Sequence, residues 1–316
     1  MKVTTKVLAA TALMGLVATA SQADTISVVG VNQAVAALDW SVGNALAVST
    51  ELPGNQMVNN QVGTKFTMYY QAVLGDFLEV NSLPIADTGL NKSYEYTVVA
   101  GFGEQTRDIF NKTTSLYDFD GTNPINYFNV YYRDLSLLPK VDTLAGVGFN
   151  QGTLVLSGKF SEAWGIFGIK NGLNPLVSST EAHASPDAAL AWSGVQSVKG
   201  GGETDGTVQV EYYNTNYFTS VPGTLIMDMN YNGNYYLPFT EISPSLQFIT
   251  PGGTIDTKSV IGSINGISGK GILFQADGNS APDPAVVPEP STMVFIGAGL
   301  FGLSVYARRR KVLQSV

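Results

Sequence analysis

Period-two alternation runs through the middle of this chain, and it constrains the fold more than any other feature. In "TKFTMYYQAVL", Phe66, Met68, Tyr70 and Ala72 fall on one side, with Thr67, Tyr69 and Gln71 on the other. Successive side chains of a strand point to opposite faces, so this spacing predicts a strand. Tyr94, Tyr96, Val98, Ala100 and Phe102 repeat the pattern in "SYEYTVVAGFGEQ". "NYFNVYYRDL", "GTLVLSGKF", "TVQVEYYNTNYF" and "TLIMDMNY" continue it, and "DGTNP", "KGGGETDG", "NYNGN" and "TPGG" supply turns between them. Many Tyr-, Val- and Thr-rich strands joined by Gly/Asn/Asp turns predict an all-β body, an antiparallel β-sandwich or jelly-roll-like fold. Only "NQAVAALDWSVGNALAVS" has a helix-compatible pattern, and it reads equally well as strand and turn.

Nothing covalent staples this body. The chain has no cysteine, which excludes disulfides, zinc thiolate sites and cysteine nucleophiles. About 250 residues are enough to bury most of their apolar surface in one large domain. No break in composition precedes "ADGNSAPDPAVVPEP", whose small residues, Asp and Pro read as an extended linker.

Both ends read as addresses, outside the fold. At the start, "MKVTTKVLAATALMGLVATASQAD" has Lys2 and Lys6, an apolar run, and small residues at Ser21 and Ala23. That is the pattern of a signal peptide cleaved between Ala23 and Asp24. At the other end, Met293–Ala307 carries no charge and Arg308, Arg309, Arg310 and Lys311 follow directly. Fifteen helical residues would span about 22 Å, short of the ~30 Å hydrocarbon core. The basic cluster would remain cytoplasmic, with everything before it outside. Pro288, Glu289 and Pro290 precede the apolar run, and the two prolines keep that site extended. The expected order is a signal peptide over 1–23, a body over 24–276, a linker over 277–287 and a sorting signal over 288–311.

Pro288-Glu289-Pro290, the apolar run with Gly297, Ala298, Gly299 and Gly302, and the terminal Arg308–Lys311 cluster together resemble the PEP-CTERM sorting signal. The resemblance implies an exported protein of a Gram-negative bacterium, processed by exosortase after its C-terminal helix has transiently entered the inner membrane. Further segments, among them "GILFQADGNS", "LPFTEISPSLQFI" and "LDWSVGNALA", are similar to flocculation-associated PEP-CTERM proteins. That similarity implies a non-enzymatic surface or matrix protein promoting cell aggregation with exopolysaccharide in a biofilm. It brings no catalytic residues. An exported carbohydrate-binding or carbohydrate-active protein acting on the polysaccharide is the alternative.

Charge narrows the partners. The whole chain has 17 Lys+Arg and 25 Asp+Glu. Six of the basic residues lie in the terminal signals and two acidic ones, Asp283 and Glu289, in the tail region, so the body from Asp24 to about Ala281 carries a net charge near −12. A surface of that sign disfavours nucleic acid, and acidic polysaccharide would need bridging cations. Tyr69, Tyr131, Tyr213 and Tyr235 offer flat faces for sugar rings if exposed, although aromatic residues also suit half-buried sheet faces.

Specific chemistry is sparse. The lone His183 has no GxSxG serine to serve and lies in a Ser/Ala/Pro loop. "GISGKG" lacks the first glycine of a phosphate loop and its Ser/Thr, and "AGFGEQT" has Thr106 where a dinucleotide motif needs a third glycine. Glu162 with Asp187, or Glu104 with Asp108, are carboxylate pairs that only a fold can join or separate. "DFDGTN" offers Asp118, Asp120 and Asn123 as oxygen ligands for calcium, without EF-hand spacing, and equally reads as an Asp-Gly turn. No catalytic constellation and no other cofactor follow from the sequence.

Overall fold

The structure, a computed structural model, describes residues 24–49, 61–110, 114–169, 176–177, 197–198, 200–231, 245–261 and 269–283. Its strands in chain order are β1 (Ser27–Val28), β2 (Ala37–Ser49), β3 (Lys65–Leu78), β4 (Tyr94–Phe110), β5 (Thr114–Phe119), β6 (Tyr127–Asp134), β7 (Thr153–Ile169), β8 (Leu176–Val177), β9 (Ser197–Val198), β10 (Gly200–Tyr213), β11 (Phe218–Ser220), β12 (Thr224–Tyr231), β13 (Gln247–Thr250), β14 (Gly253–Asp256) and β15 (Gly271–Pro282). One helical turn, α1 (Thr257–Ile261), follows β14. The ambiguous early segment is therefore strand, from Ala37 to Ser49. Among the described residues no helix is long and apolar enough to cross a membrane; the expected sorting helix at Met293–Ala307 lies outside them.

All-β and antiparallel hold, but the body is barrel-like and not a sandwich or jelly roll. Nine strands form one sheet in the order β10-β12-β15-β2-β3-β4-β5-β7-β6, and β10–β7 and β4–β6 pairings close it. Strand β4 is long enough for two partners in tandem. Its first half pairs with β6 from Tyr94 to Gly101, and its second half pairs with β5 from Glu104 to Phe110. Strand β7 meets the same two strands from the other side. Alternation cannot distinguish the two architectures, because both have one inward and one outward face. Strands of 13 to 17 residues in β2, β3, β4 and β7, with bulges that add twist, let a single sheet curl and pair its own edges.

The linker expected from Asp277 begins too early. Strand β15 runs to Pro282, and Asp277–Pro282 pair with β12 from Asn230 back to Leu225. Their small size is a packing requirement. A Cβ on Gly278 would lie 2.9 Å from Tyr70 Oη and 3.1 Å from the Asp228 carbonyl, and Ser280 is fully buried.

Two apolar clusters lie on opposite faces of this sheet. Phe66, Tyr70, Val98, Phe102, Val208 and Met227 belong to one that draws on all the large strands, so it fills the barrel. Their neighbours Tyr69, Val99, Leu46 and Leu273 point outward. On that outer side the β13–β14 hairpin and α1 cover them with Phe248, Ile249 and Ile261. Polar groups fix the hairpin: Gln71 Nε2 donates to the Gln247 carbonyl at 2.8 Å and its Oε1 accepts from Ile249 N at 3.2 Å. A buried pair, Arg133–Glu95 at 3.4 Å, joins β6 to β4. The same guanidinium donates to the carbonyls of Gly148 and Pro139, holding the loop before β7.

Candidate functional site

Pro288, Glu289, Pro290, Arg308, Arg309, Arg310 and Ala23 lie outside the described residues. What the structure does show is where the tail is attached. Asp283, just past β15, donates its backbone N–H to the Thr224 carbonyl at 3.3 Å. At the other terminus, Ile26 bridges Val35 beside the start of β2, whose Leu38 faces Ser280 in register. Both described ends of the chain therefore leave from one rim of the barrel. Asp24, the expected first residue after cleavage, is exposed.

The calcium candidates are not gathered into one site. Asp120 Oδ1 accepts from Thr122 N at 3.1 Å and Thr122 Oγ1 at 2.6 Å, and the carboxylate pairs with Lys65 at 3.2 Å. Burial pushes its pKa up, but the Thr122 hydrogen bonds and the Lys65 ammonium outweigh that and hold it below the usual range. Asn123 Oδ1 accepts from Ile125 N, and its Nδ2 donates to Thr67 Oγ1. Asp118 pairs with Arg107 at 3.1 Å. The Asp120–Thr122 and Asn123–Ile125 contacts are those of Asx turns, and the Asp118–Arg107 pair lies across β4 and β5. Among the described residues no group of three or more acidic or histidine side chains is placed to hold a metal ion.

Of the carboxylate pairs, Glu104 and Asp108 are separated by the sheet itself. Asp108 is exposed beyond a bulge, whereas Glu104 is fully buried in the barrel. Glu162 is exposed on β7, and Asp187 and His183 lie outside the described residues. Neither Glu104 carboxylate oxygen meets a donor at hydrogen-bond geometry. Burial drives its pKa up to about 8, with the Thr204 hydroxyl acting weakly in the other direction. Burial thus favours the protonated carboxyl, and the group is sealed from solvent.

The proposed sugar-stacking tyrosines do not form a platform. Tyr69 is buried in the outer cluster under the hairpin, and Tyr131 packs at its edge. Tyr213 packs against the barrel core, and Tyr235 lies outside the described residues.

Sequence reasoning missed Trp164. It stands on the outer face of β7 and is 38% exposed, whereas Trp40 is completely buried. Ala163 and Gly165 beside it face inward, and a Cβ on Gly165 would come within 2.7 Å of Thr204 Oγ1. The small–Trp–small pattern carried the signal that Trp164 faces away from its neighbours, but only closure of the barrel says which face is outside. Asp118 and Asp205 flank Trp164 in register. The row continues from Asp205 to Asp228, Asn279, Asp39 and Asp76. Burial raises the pKa of Asp205, reinforced by Asp228 and Glu203, and raises that of Asp39, reinforced by Asp277 and Asp76.

No curated protein and no solved structure matches this chain. Residues 286–311 match the PEP-CTERM protein-sorting motif, and that signal implies an exosortase-targeted protein exported to the cell envelope or surface of a Gram-negative bacterium.

Proposed function

We propose that this is a non-enzymatic protein of the cell surface or extracellular matrix that promotes cell aggregation, or flocculation, in association with exopolysaccharide. The sorting motif at 286–311 carries this reading. The acidic outer surface supports it, since such a surface stays soluble outside the cell and binds polymers through many weak contacts multiplied by valency. Deleting the gene and adding back the purified exported protein, with and without divalent cations, tests it. The deletion should disperse cells, and add-back should restore flocs; restoration by an unrelated acidic β-protein would overturn the reading.

A second reading is an exported carbohydrate-binding or carbohydrate-active protein. Trp164, exposed between two carboxylates, favours the binding form. Incubation with the producer's own polysaccharide separates the forms: an enzyme shortens the polymer, and a binder co-sediments with it unchanged.

A further inference from the structure

The outer face of the barrel is not uniform. Beside β2, β3 and β4 the hairpin covers it and buries Leu46, Tyr69, Val99 and Leu273. Around β7 and β10 a large indole is left in contact with solvent. The fold does not need it there, because an outward position on a solvated sheet is usually polar. Its in-register neighbours are charged on both sides, and they differ. Toward β5, Asp118 is already paired with Arg107. Toward β10, the exposed Asp205 directly faces Asp228 across the ladder. Like charges directly opposite one another destabilise a sheet, and a cation between them would relieve that repulsion.

We infer that the face centred on Trp164 docks a positively charged amino-sugar polysaccharide, with the indole stacking on a sugar ring and Asp205 and Asp228 receiving its ammonium groups. The inference rests on the proposed association with a matrix polysaccharide and names the kind of polymer. Charge complementarity selects the occupant: a nucleic acid or uronic-acid polymer is repelled here. A protein partner would call for a broader apolar centre than one indole among carboxylates. A sugar ring presents an apolar C–H face to the indole, and its amine gains a cation–π and a charge-assisted contact at the same place. The direction of the row also fits. Trp164, Asp205 and Asp228 lie on successive strands, about 4.8 Å apart, so a chain lying across the strands meets them in turn. The Arg107–Asp118 pair, on the far side of the indole, is available to hydroxyl groups.

Calorimetric titration of the purified exported protein at about pH 6, where sugar amines are charged, with a glucosamine hexamer tests this. The same hexamer fully N-acetylated and a polyguluronate are the comparison ligands. Expected are binding of the glucosamine hexamer that weakens with salt, a loss of about tenfold in Trp164→Ala, and a comparable loss in Asp205→Asn/Asp228→Asn. The double variant removes opposed charges and so retains the fold, which circular dichroism verifies. Equal binding by Trp164→Ala, equal binding of the acetylated hexamer, or preference for polyguluronate would each overturn the inference. Add-back of Trp164→Ala to deletion cells separates the two levels. Full floc recovery by this variant sinks the docking face and leaves the aggregation role standing. Hexamer binding by a protein that never restores flocs sinks the role and leaves the face.

Discussion

The Trp40 indole N–H donates a hydrogen bond to Ser280 Oγ at 2.9 Å, across 240 positions of sequence. Both residues are fully buried, on the strands β2 and β15 whose pairing helps close the sheet. The barrel is therefore held shut by residues almost at the two ends of the body. Replacing Ser280 by Ala leaves a buried indole donor without its partner, which costs about 1–3 kcal/mol. Urea denaturation should show that loss with an unchanged m-value. Ending the body before Asp277 should prevent the cooperative transition altogether, because β12 and β2 lose a shared neighbour.

Arg133→Ala should be more damaging. It would leave Glu95 buried without its cation and free the loop carbonyls of Gly148 and Pro139. Breaking a buried pair from one side costs about 3–5 kcal/mol. A double change to an apolar pair should recover much of that loss, and thermal melts of the single and double variants check both statements.

Gln71→Ala removes two of the contacts that tie β13 to the barrel wall and leaves the Tyr127 hydroxyl on the Ile249 carbonyl. The expected loss is local. Amide exchange at Phe248 and Ile249 should accelerate by about tenfold or more, while exchange in β4 changes little. Uniform acceleration across the barrel would show that the hairpin is integral to the closure.

Glu104 makes stability depend on pH. Burial raises its pKa from the ordinary 4.5 to about 8 on folding, so the folded state holds a proton that the unfolded chain releases. Stability from this group is complete below about pH 4.5 and declines as pH rises to about 8, by a few kcal/mol in total. Glu104→Gln keeps the shape and removes the titration. Its melting temperature should exceed that of the parent most clearly at pH 8 to 9; identical pH profiles for the two proteins would refute the assignment.

The two-ended signal arrangement predicts a mature protein beginning at Asp24 and lacking Arg308–Lys311. Mass analysis of terminal peptides from the exported product checks it, and recovery of a secreted form retaining Arg310 would contradict it. Glu289→Ala should accumulate as a membrane-held precursor.

The sequence by itself determined the local state of the chain and its destination. Alternation at Phe66–Ala72 and Tyr94–Phe102 specifies strands, because side-chain direction along a strand is a property of neighbours. The absence of cysteine and the sorting motif at 286–311 are likewise written in consecutive residues. Tertiary structure decided everything that depends on which distant strands meet. Sandwich and barrel share one alternation pattern, so only the β4–β6, β7–β10 and β15–β2 pairings separate them. Asp277–Pro282 looks like linker by composition and is strand because Tyr70, Trp40 and Asp228 leave room only for small residues there. Trp164 and Glu104 each have a glycine neighbour in a long strand, yet closure puts one in solvent and seals the other inside, where burial raises the carboxyl's pKa.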